Sequence, residues 1–503
     1  MSTPATPPSA LQIDPADNVL VALRDLAPGE VVDDIAVTEA IPAGHKIARH
    51  TLAAGEAVMK YGYPIGLACS AIPAGSHVHV HNVKSALAEK LEDLRFTHAL
   101  PTRAPAPPAP RWFSGYRRAD GRAATRNEIW IVNTVGCINQ AATRIAQRAQ
   151  AEFADAGLDG IFAFPHPFGC SQLGDDLKST QAVLAGLINH PNAGAVLVLG
   201  LGCENNQLDA LLKLVGPQPP ERIRYFDAQK VDDEVETGLA ALRELVAYAA
   251  RFKRQPIPAD ELIIGMKCGG SDGFSGITAN PLVGRIADRA TAGGGTVLLT
   301  EVPEMFGAER VLLERTTDEA TFRGVLGLVN QFRGYFVKHH EPIDENPSPG
   351  NKAGGITTLA EKSLGCVQKG GKAPVCQTLA YGSQAQPGLS GLALLNGPGN
   401  DGVSGTAMTV AGAHLLLFTT GRGNPLGFPI PTLKISSNSA LAQSKPQWID
   451  FDAGPIADGT ISATLLADQL WKLVLDVASG RTLARNELHG YREIAIWKDG
   501  VTL

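Results

Sequence analysis

The clearest pattern along this chain is a short apolar run that stops at a glycine-rich polar loop. Residues 262–266 are apolar, Cys268 follows, and residues 269–276 form the loop. Glycines let the backbone turn sharply and approach a ligand closely, and the free N–H groups at a helix start attract carboxylate or phosphate. The stretch therefore predicts a strand, an anion-binding loop and then a helix.

The same pattern returns later in the chain. Residues 391–395 are apolar, and both loops carry a small polar residue followed by D-G-x-S-G, at 271–276 and at 400–405. A helical stretch and a second apolar run ending in threonine follow each loop. We interpret this as a duplicated strand–loop–helix–strand unit whose two loops face one cleft. The alternative is two ordinary glycine turns.

The N-terminal part has a different pattern. From residue 14 to about residue 100, short extended runs alternate with glycine-containing turns, which predicts a small all-β domain over residues 1–100. Within it, residues 76–82 predict a strand in which His77, His79 and His81 share one face. Three histidines on one face favour metal ligands or acid–base groups. A solvent-facing polar edge is the alternative.

A proline-rich segment at residues 101–110 predicts an extended linker. Apolar runs and helical stretches alternate after it, which is typical of an α/β body with mostly parallel sheets. We expect one α/β domain over 111–255, with cysteines at its strand ends, and a second over 256–503, with the duplicated loops.

Cysteines follow several of the predicted strands. Cys137, Cys170, Cys203 and Cys268 each lie just past the end of one, next to a glycine, and His166 is close to Cys170 in the sequence. Parallel α/β sheets bind ligands at that edge. Thiolate and imidazole ligands suit iron or zinc better than magnesium. We therefore hypothesise that Cys137, Cys170, Cys203 and His166 hold a metal ion; ordinary buried cysteines are the alternative.

Two further stretches suit a polar ligand. Residues 346–355 form a glycine-rich polar connection containing Asn351 and Lys352, which fits a hydroxylated or anionic ligand or else is a simple connector. Arg422 stands between two glycines after an apolar run, where it can clamp a carboxylate in bidentate fashion. Pro425 argues against a dinucleotide site at this point, and no Walker motif is present.

Composition narrows the class of protein. The chain has 503 residues, 44% hydrophobic and 19% charged, with a net charge of −6. These values predict a soluble globular protein with no electrostatic case for nucleic acid. The N-terminus lacks a signal-peptide pattern, and the most apolar run, 195–201, is too short for a bilayer. Seven cysteines, an odd number, argue against a disulfide framework. We expect a cytoplasmic protein without a membrane partner.

Several longer motifs resemble one family. They are HVHVHN (77–82), GYRRADGRAATRNEIWIVNTVGC (115–137), HPFGCSQLGDD (166–176), GLGCENNQ (200–207), KCGGSDGFSGITANP (267–281), LTEVPEMFGAE (299–309), NPSPGNKAGGITTLAEKSLGC (346–366) and TTGRGNP (419–425). Together they are similar, over nearly the whole chain, to the altronate/galactarate dehydratase family, whose members carry an N-terminal SAF domain, a small β-rich module, on an α/β body.

The resemblance implies a hydro-lyase of hexuronate catabolism that converts D-altronate to 2-dehydro-3-deoxy-D-gluconate with Fe²⁺, or Mn²⁺ in its place. The three-histidine stretch and the CSQLGDD continuation favour the altronate branch over galactarate. Galactarate or another aldonate, and sulfolactate through a sulfo-lyase reaction, are alternative substrates. A sugar-acid sensor is the non-enzymatic alternative, and a homo-oligomer is possible.

Dehydration of a 2,3-dihydroxy acid requires a base for the C2 proton, an acid for the leaving hydroxyl and stabilisation of the enediolate. With the metal on the cysteines, we assign His79 and His81 as base and acid. With the metal on the histidines, Lys352 or Glu204 moves the proton instead. The predicted substrate contacts are Ser271, Asp272, Asn351, Lys352, Asn400, Asp401 and Arg422.

Overall fold

The computed structural model describes residues 8–87, 94–96, 112–386 and 388–503. The predicted linker at 101–110 lies outside these ranges. The described chain consists of an N-terminal β-rich region and a larger α/β body with two parallel sheets, as the sequence pattern predicts. Among the described residues, no helix is both long enough and apolar enough to cross a bilayer.

The β-rich region is built from nine short antiparallel strands. They are β1 (Ala10–Leu11), β2 (Val19–Ala22), β3 (Val31–Val32), β4 (Ile35–Ala36), β5 (Lys46–Ala48), β6 (Ala57–Lys60), β7 (Tyr63–Ala68), β8 (His77–Val78) and β9 (Val83–Lys84). One sheet has the order β1-β2-β5-β8, a second has the order β6-β7-β9, and β3 pairs with β4.

The histidine strand is shorter than the alternation predicts. β8 contains only His77 and Val78, and residues 79–82 form a turn. The Asn82 side chain closes this turn by accepting a hydrogen bond from the His79 N–H at 2.9 Å. Strand alternation therefore cannot place the three histidines together, although His77 still lies against both His79 and His81.

The middle of the chain forms the smaller parallel sheet and its helices. Its elements are β10 (Trp112–Arg117), β11 (Ala123–Ala124), β12 (Glu128–Asn133), α1 (Asn139–Glu152), β13 (Gly160–Ala163), α2 (Gly174–Ile188), β14 (Ala193–Gly200), α3 (Leu208–Val215), β15 (Ile223–Asp227), α4 (Glu234–Ala249) and β16 (Arg254–Pro258).

The strand order in this parallel sheet is β13-β12-β14-β15, and β10 pairs antiparallel with β11 and β16 in a separate sheet. Side chains of β12 alternate between its two faces. Ile129 and Ile131 pack with α1 and α4, whereas Trp130 and Val132 pack with α2, α3 and the C-terminal part of the body. Both faces of the sheet are therefore covered by other elements, which explains why the sequences of β12 and β14 are largely apolar.

The C-terminal part contains the larger sheet. Its elements are β17 (Ile263–Cys268), α5 (Ala279–Ala292), β18 (Thr296–Leu299), α6 (Glu309–Leu313), α7 (Glu319–Lys338), α8 (Pro349–Ala353), α9 (Leu359–Val367), β19 (Val375–Leu379), β20 (Gly391–Leu395), α10 (Asp401–Val410), β21 (Leu415–Thr420), β22 (Thr432–Ser436), α11 (Ser439–Ser444), β23 (Phe451–Asp452), α12 (Ala463–Ala478) and α13 (Arg485–Leu488).

The seven strands are parallel, in the order β19-β20-β18-β17-β21-β22-β23. The two predicted repeat units, β17–α5–β18 and β20–α10–β21, supply the four adjacent strands β20, β18, β17 and β21. The carboxyl ends of parallel strands lie at one edge, so both D-G-x-S-G segments start from the same edge of the sheet.

The β-rich region and the C-terminal body share one hydrophobic core. Val58 and Ile65 of the β-rich region belong to the same buried cluster as Leu359 and Leu364 of α9. The β-rich region is therefore packed directly against the carboxyl edge of the larger sheet, and that junction contains the groups described next.

Candidate active site between the β-rich region and the larger sheet

Three glycines bring three backbone segments together at the junction. A Cβ at Gly273 would lie 1.9 Å from the Gly44 carbonyl oxygen, and one at Gly355 would lie 2.4 Å from the same atom. The Gly273 N–H also donates to the Gly354 carbonyl at 2.7 Å. The glycine-rich loop after β17 therefore serves here as a close-packing surface for the β-rich region.

A group of histidines lies beside this contact. His45 Nδ1 is 2.9 Å from His77 Nε2, and His79 Nδ1 is 2.9 Å from Thr357 Oγ1. One ligand atom from each of His45, His77 and His79 falls within 4.8 Å of the others. His81 is exposed, with its ring 5.4 Å from that of His77. The imidazoles therefore converge at the junction.

The sequence pattern did not reveal His45. It directly precedes β5, and the antiparallel pairing of β5 with β8 places Ile47 opposite His77. Only this pairing register brings His45 to the other two rings. Burial lowers the pKa of His77 to about 3 and that of His79 to about 4, and the neighbouring imidazoles add to both shifts. The rings are therefore neutral near pH 7, with lone pairs available to a cation.

Beneath the histidines, two lysines of the β-rich region meet one carboxylate of α9. Lys46 Nζ lies 2.9 Å from Glu361 and Lys60 Nζ lies 2.7 Å from it, and all three side chains are buried. Burial opposes ionisation of Glu361, but the two ammonium groups outweigh it and lower the carboxyl pKa to about 2. This buried ion cluster joins the two parts of the chain.

The first D-G-x-S-G loop is organised around Asp272. Its buried carboxylate accepts hydrogen bonds from the Ser275 N–H and hydroxyl, from the Ser437 hydroxyl and from Asn438 Nδ2, at 2.8–3.0 Å. Asn351 Nδ2 donates to the Ser271 carbonyl at 2.8 Å. Asp272 and Asn351, both predicted substrate contacts, thus hold the loop and α8 in place.

The second segment differs from the first because it lies inside a helix. Asn400 caps α10 by accepting from the Val403 N–H, and Asp401 is the first residue of that helix. The Asp401 carboxylate lies 2.6 Å from Lys267 Nζ and accepts from Asn424 Nδ2 at 2.8 Å. Asn400 and Asp401 therefore already have protein partners.

Among the predicted site residues, the two cations, Lys352 in α8 and Arg422 after β21, form no ion pair within the described part of the chain. Arg422 is exposed, and its Nε would lie 3.9 Å from a Cβ at Gly350, the second residue of α8. At the other end of α8, the Ala353 carbonyl is 3.4 Å from His45 Nε2. Helix α8 therefore connects the Arg422 guanidinium to the histidine group.

The other predicted residues lie at the edge of the smaller sheet. Cys137, Cys170 and Cys203 are exposed in the loops after β12, β13 and β14. Backbone hydrogen bonds join these loops, from Gly136 N to Phe168 O and from Asn206 N to Gly169 O. The three thiols thus occupy neighbouring loops at one edge.

His166 and Glu204 are held by local contacts at that edge. His166 Nε2 is 2.8 Å from the Asn133 carbonyl, and its Nδ1 accepts from the Phe168 N–H. The Glu204 carboxylate accepts from the Thr134 hydroxyl and from two backbone N–H groups of its own loop. In the described residues, two groups of three potential ligands have atoms within 4.8 Å of one another, and neither includes these residues.

The second such group is Cys268, Glu304 and Cys366. Cys268, which the sequence pattern grouped with the other strand-end cysteines, lies at the end of β17 in the larger sheet. Its thiol is buried against Cys366 of α9 rather than exposed at the edge of the smaller sheet.

Comparisons with known proteins cover nearly the whole chain. Three family models match: the altronate/galactarate dehydratase SAF domain at residues 8–86, the D-galactarate dehydratase/altronate hydrolase second domain at 115–250, and the D-galactarate/altronate dehydratase C-terminal domain at 259–502. The three matches follow one another along the chain in the order expected from the sequence motifs.

Relatives that match over nearly their whole length support the same family. The chain is 49% identical to altronate dehydratase of Escherichia coli K12, over 98% of this chain and 99% of that protein. It is 46% identical to altronate dehydratase of Bacillus subtilis 168, over 98% and 100%. It is 31% identical to the L-threo-forming galactarate dehydratase of E. coli K12, over 97% and 96%. The chain belongs to the altronate/galactarate dehydratase family.

Proposed function

We propose that this protein is a hydro-lyase that dehydrates D-altronate to 2-dehydro-3-deoxy-D-gluconate. The observation that carries the proposal is the position of α8, with the Arg422 guanidinium beside Gly350 and the His45 ring beside the Ala353 carbonyl. A site with a cation at one end and imidazoles at the other suits an acid that must be held by its carboxylate while a proton and a hydroxyl leave. The identity to two altronate dehydratases supports altronate as that acid.

Arg422 and Lys352 are the groups that we assign to the substrate carboxylate. Neither has an ionic partner in the described ranges, and a guanidinium binds a carboxylate through two parallel hydrogen bonds. Asp272 and Asn351 position the loop and α8 for this contact. Ser271, whose carbonyl accepts from Asn351 Nδ2, lies in the same loop and is assigned to the sugar hydroxyls.

The junction also fits the divalent ion that the family resemblance implies. His45, His77 and His79 offer neutral imidazole nitrogens that lie within 4.8 Å of one another, a donor type suited to Fe²⁺. A bound ion would polarise the substrate carboxylate or the leaving hydroxyl. Exposed His81, beside His77, and Lys352, in the helix that contacts His45, are then the groups assigned to proton transfer.

The exposed thiols of Cys137, Cys170 and Cys203 offer the competing metal site. Their neighbouring loops favour some shared role, but His166 has both ring nitrogens engaged by the backbone. We therefore place the catalytic ion at the histidines. In that arrangement Glu204, held within its own loop, is assigned no proton transfer.

A turnover assay tests the proposal directly. The full chain is loaded anaerobically with Fe²⁺ or with Mn²⁺ and incubated with D-altronate, galactarate, related aldonates and sulfolactate, and a 2-keto product or released sulfite is measured. We expect a 2-keto acid from D-altronate at the highest kcat/KM. Sulfite release would favour the sulfo-lyase alternative, and tight binding without any product would favour a sugar-acid sensor.

We further propose a cytoplasmic location, because the seven cysteines are free thiols, a state maintained in reducing compartments. A homo-oligomer stays a prediction that light scattering of the purified chain can test.

A further inference from the structure

Two cysteines that are distant in the sequence are in sulfur contact inside the body. Cys268 ends β17 and Cys366 lies in α9, with their Sγ atoms 3.3 Å apart. Both are almost fully buried, at 2% and 4% exposure. One oxygen of Glu304 lies 3.2 Å from the first sulfur and 3.0 Å from the second. The two thiols therefore share one buried site.

One ammonium group lies directly against the Cys268 sulfur, and this contact favours a thiolate. Lys369 Nζ lies 3.0 Å from the Cys268 sulfur, Lys362 Nζ lies 2.8 Å from Glu304, and buried Lys267 is a third ammonium nearby. Glu304, which contacts both sulfurs, and Glu301, 3.9 Å from the Cys268 sulfur, partly offset these ammonium groups. The contact between Lys369 and the Cys268 sulfur stabilises a negative sulfur. The hydrogen bond from Cys366, assisted by Lys369, lowers the pKa of the Cys268 thiol to about 6.

We propose that Cys268 and Cys366 form a peroxide-sensitive dithiol that closes to a disulfide. The Cys268 thiolate attacks one oxygen of hydrogen peroxide, the O–O bond breaks, and the departing hydroxide takes a proton to become water. The sulfenic acid left on Cys268 is attacked by the Cys366 sulfur, which forms the S–S bond and releases a second water. Two thiols are oxidised, and one peroxide is reduced to two waters.

The surroundings of Cys366 determine how peroxide reaches the two thiols and what disulfide formation would change. Cys366 lines a small, partly open pocket of about 10 Å³ together with Ser271, Asp272 and Lys362, enough for one water-sized molecule. Cys268 does not line this pocket and is reached from it through the contact with the Cys366 sulfur. Closing the bond draws the sulfurs from 3.3 Å to about 2.05 Å and removes the thiol protons that Glu304 accepts. That movement pulls the start of the glycine-rich loop toward α9, the helix that carries Glu361. Oxidation is therefore expected to inactivate the enzyme reversibly.

Peptide mapping of the full chain tests the proposal without relying on activity. Trypsin releases residues 268–285 and 363–369 as separate peptides with one cysteine each. After treatment with hydrogen peroxide in the presence of a chelator, we expect these peptides to be linked, with the loss of two hydrogen atoms, and to separate again with dithiothreitol. The half-buried Cys376, which has no thiol partner in the described chain, is the internal control and stays unlinked.

The Cys366→Ala variant isolates the first step. Cys268 should then stop at the sulfenic acid, which dimedone traps when the oxidised protein is unfolded in urea, so that the 268–285 peptide carries a dimedone adduct and no disulfide. If this variant does not fold, the peptide map of the wild-type protein still tests the proposal. Absence of the linked peptide after the exposed cysteines have oxidised would overturn the proposal. So would a tightly bound zinc or iron ion that is lost on Cys268→Ser and retained on His79→Ala.

Discussion

Lys46 of the β-rich region and Glu361 of α9 form a 2.9 Å ion pair in which both side chains are at most 1% exposed. Lys60 shares the same carboxylate at 2.7 Å. A buried ion pair of this kind contributes little net stability compared with an apolar pair, but removing one partner leaves uncompensated charge. The cluster therefore fixes how the β-rich region sits on the larger sheet.

Changing Glu361→Gln keeps the shape of the side chain and leaves two buried ammonium groups without a counter-charge. We expect a loss of about 3–5 kcal/mol in the free energy of unfolding, measured by urea denaturation at pH 7. Glu319→Gln is the matched control, because Glu319 forms an exposed pair with Arg323, and it should cost no more than about 0.5 kcal/mol. Equal effects of the two changes would contradict the role given to the cluster.

The histidine group is tested by His79→Ala. We expect the purified variant to lose both bound iron and turnover, measured by metal analysis and by formation of the 2-keto product. His50→Ala changes an exposed histidine of the same region and should leave both values at the wild-type level. Retained iron with lost turnover would instead place the ion at Cys137, Cys170 and Cys203 and leave His79 as a proton-transfer group.

Arg422→Gln tests the carboxylate contact. A hydrogen bond to a charged group contributes about 1.5–3 kcal/mol, so we expect KM to rise by about 10- to 100-fold with a smaller change in kcat. The control is Arg481→Gln, which removes an exposed arginine paired with Asp476. A large fall in kcat at unchanged KM would mean that Arg422 acts on the transition state and not on the bound acid.

Gly273→Ala tests the glycine contact at the junction. The added methyl group would overlap the Gly44 carbonyl at 1.9 Å, so the two backbones must separate. We expect lost turnover and faster proteolysis of the β-rich region. Gly327→Ala, inside α7 and with nothing near the added carbon, should be neutral or stabilising by about 1 kcal/mol. Normal activity of the Gly273→Ala variant would show that the two segments can move apart without consequence.

Acid should weaken the fold through His414. Its Nδ1 accepts from the Ile263 N–H and its Nε2 donates to the Ala123 carbonyl, so the buried ring is neutral. Burial lowers its pKa from 6.5 to about 4. The unfolded chain binds a proton below pH 6.5 and the folded chain does not. The free energy of unfolding therefore falls by up to about 3 kcal/mol between pH 6.5 and pH 4.

Urea midpoints between pH 7.5 and pH 4 measure this dependence. His414→Gln should lower stability at pH 7.5 but give a shallower decline toward pH 4. His489→Gln, at an exposed position, should keep the wild-type slope. An unchanged slope in the His414→Gln variant would assign the acid sensitivity to other groups.

The sequence by itself determined much of the architecture. Short apolar runs between glycine turns predicted the β-rich region, and alternating apolar and helical stretches predicted the parallel sheets, because these patterns depend on neighbours only a few residues apart. The duplicated unit was also visible, since each copy repeats a local order of strand, D-G-x-S-G segment, helix and strand. Arg422 was predicted as a substrate contact from its place between glycines at a strand end, and that role stays a prediction.

Tertiary structure alone decided which side chains meet. His45 joins His77 through the register of β5 against β8, and Glu361 meets Lys46 and Lys60 because α9 packs under the β-rich region. Cys268 does not lie with the other strand-end thiols, because β17 belongs to the larger sheet. There, the packing of α9 places Cys366 beside Cys268. These partners are separated by tens to hundreds of residues. No local pattern specifies such contacts, because they arise from strand pairing and from the burial of shared apolar surfaces.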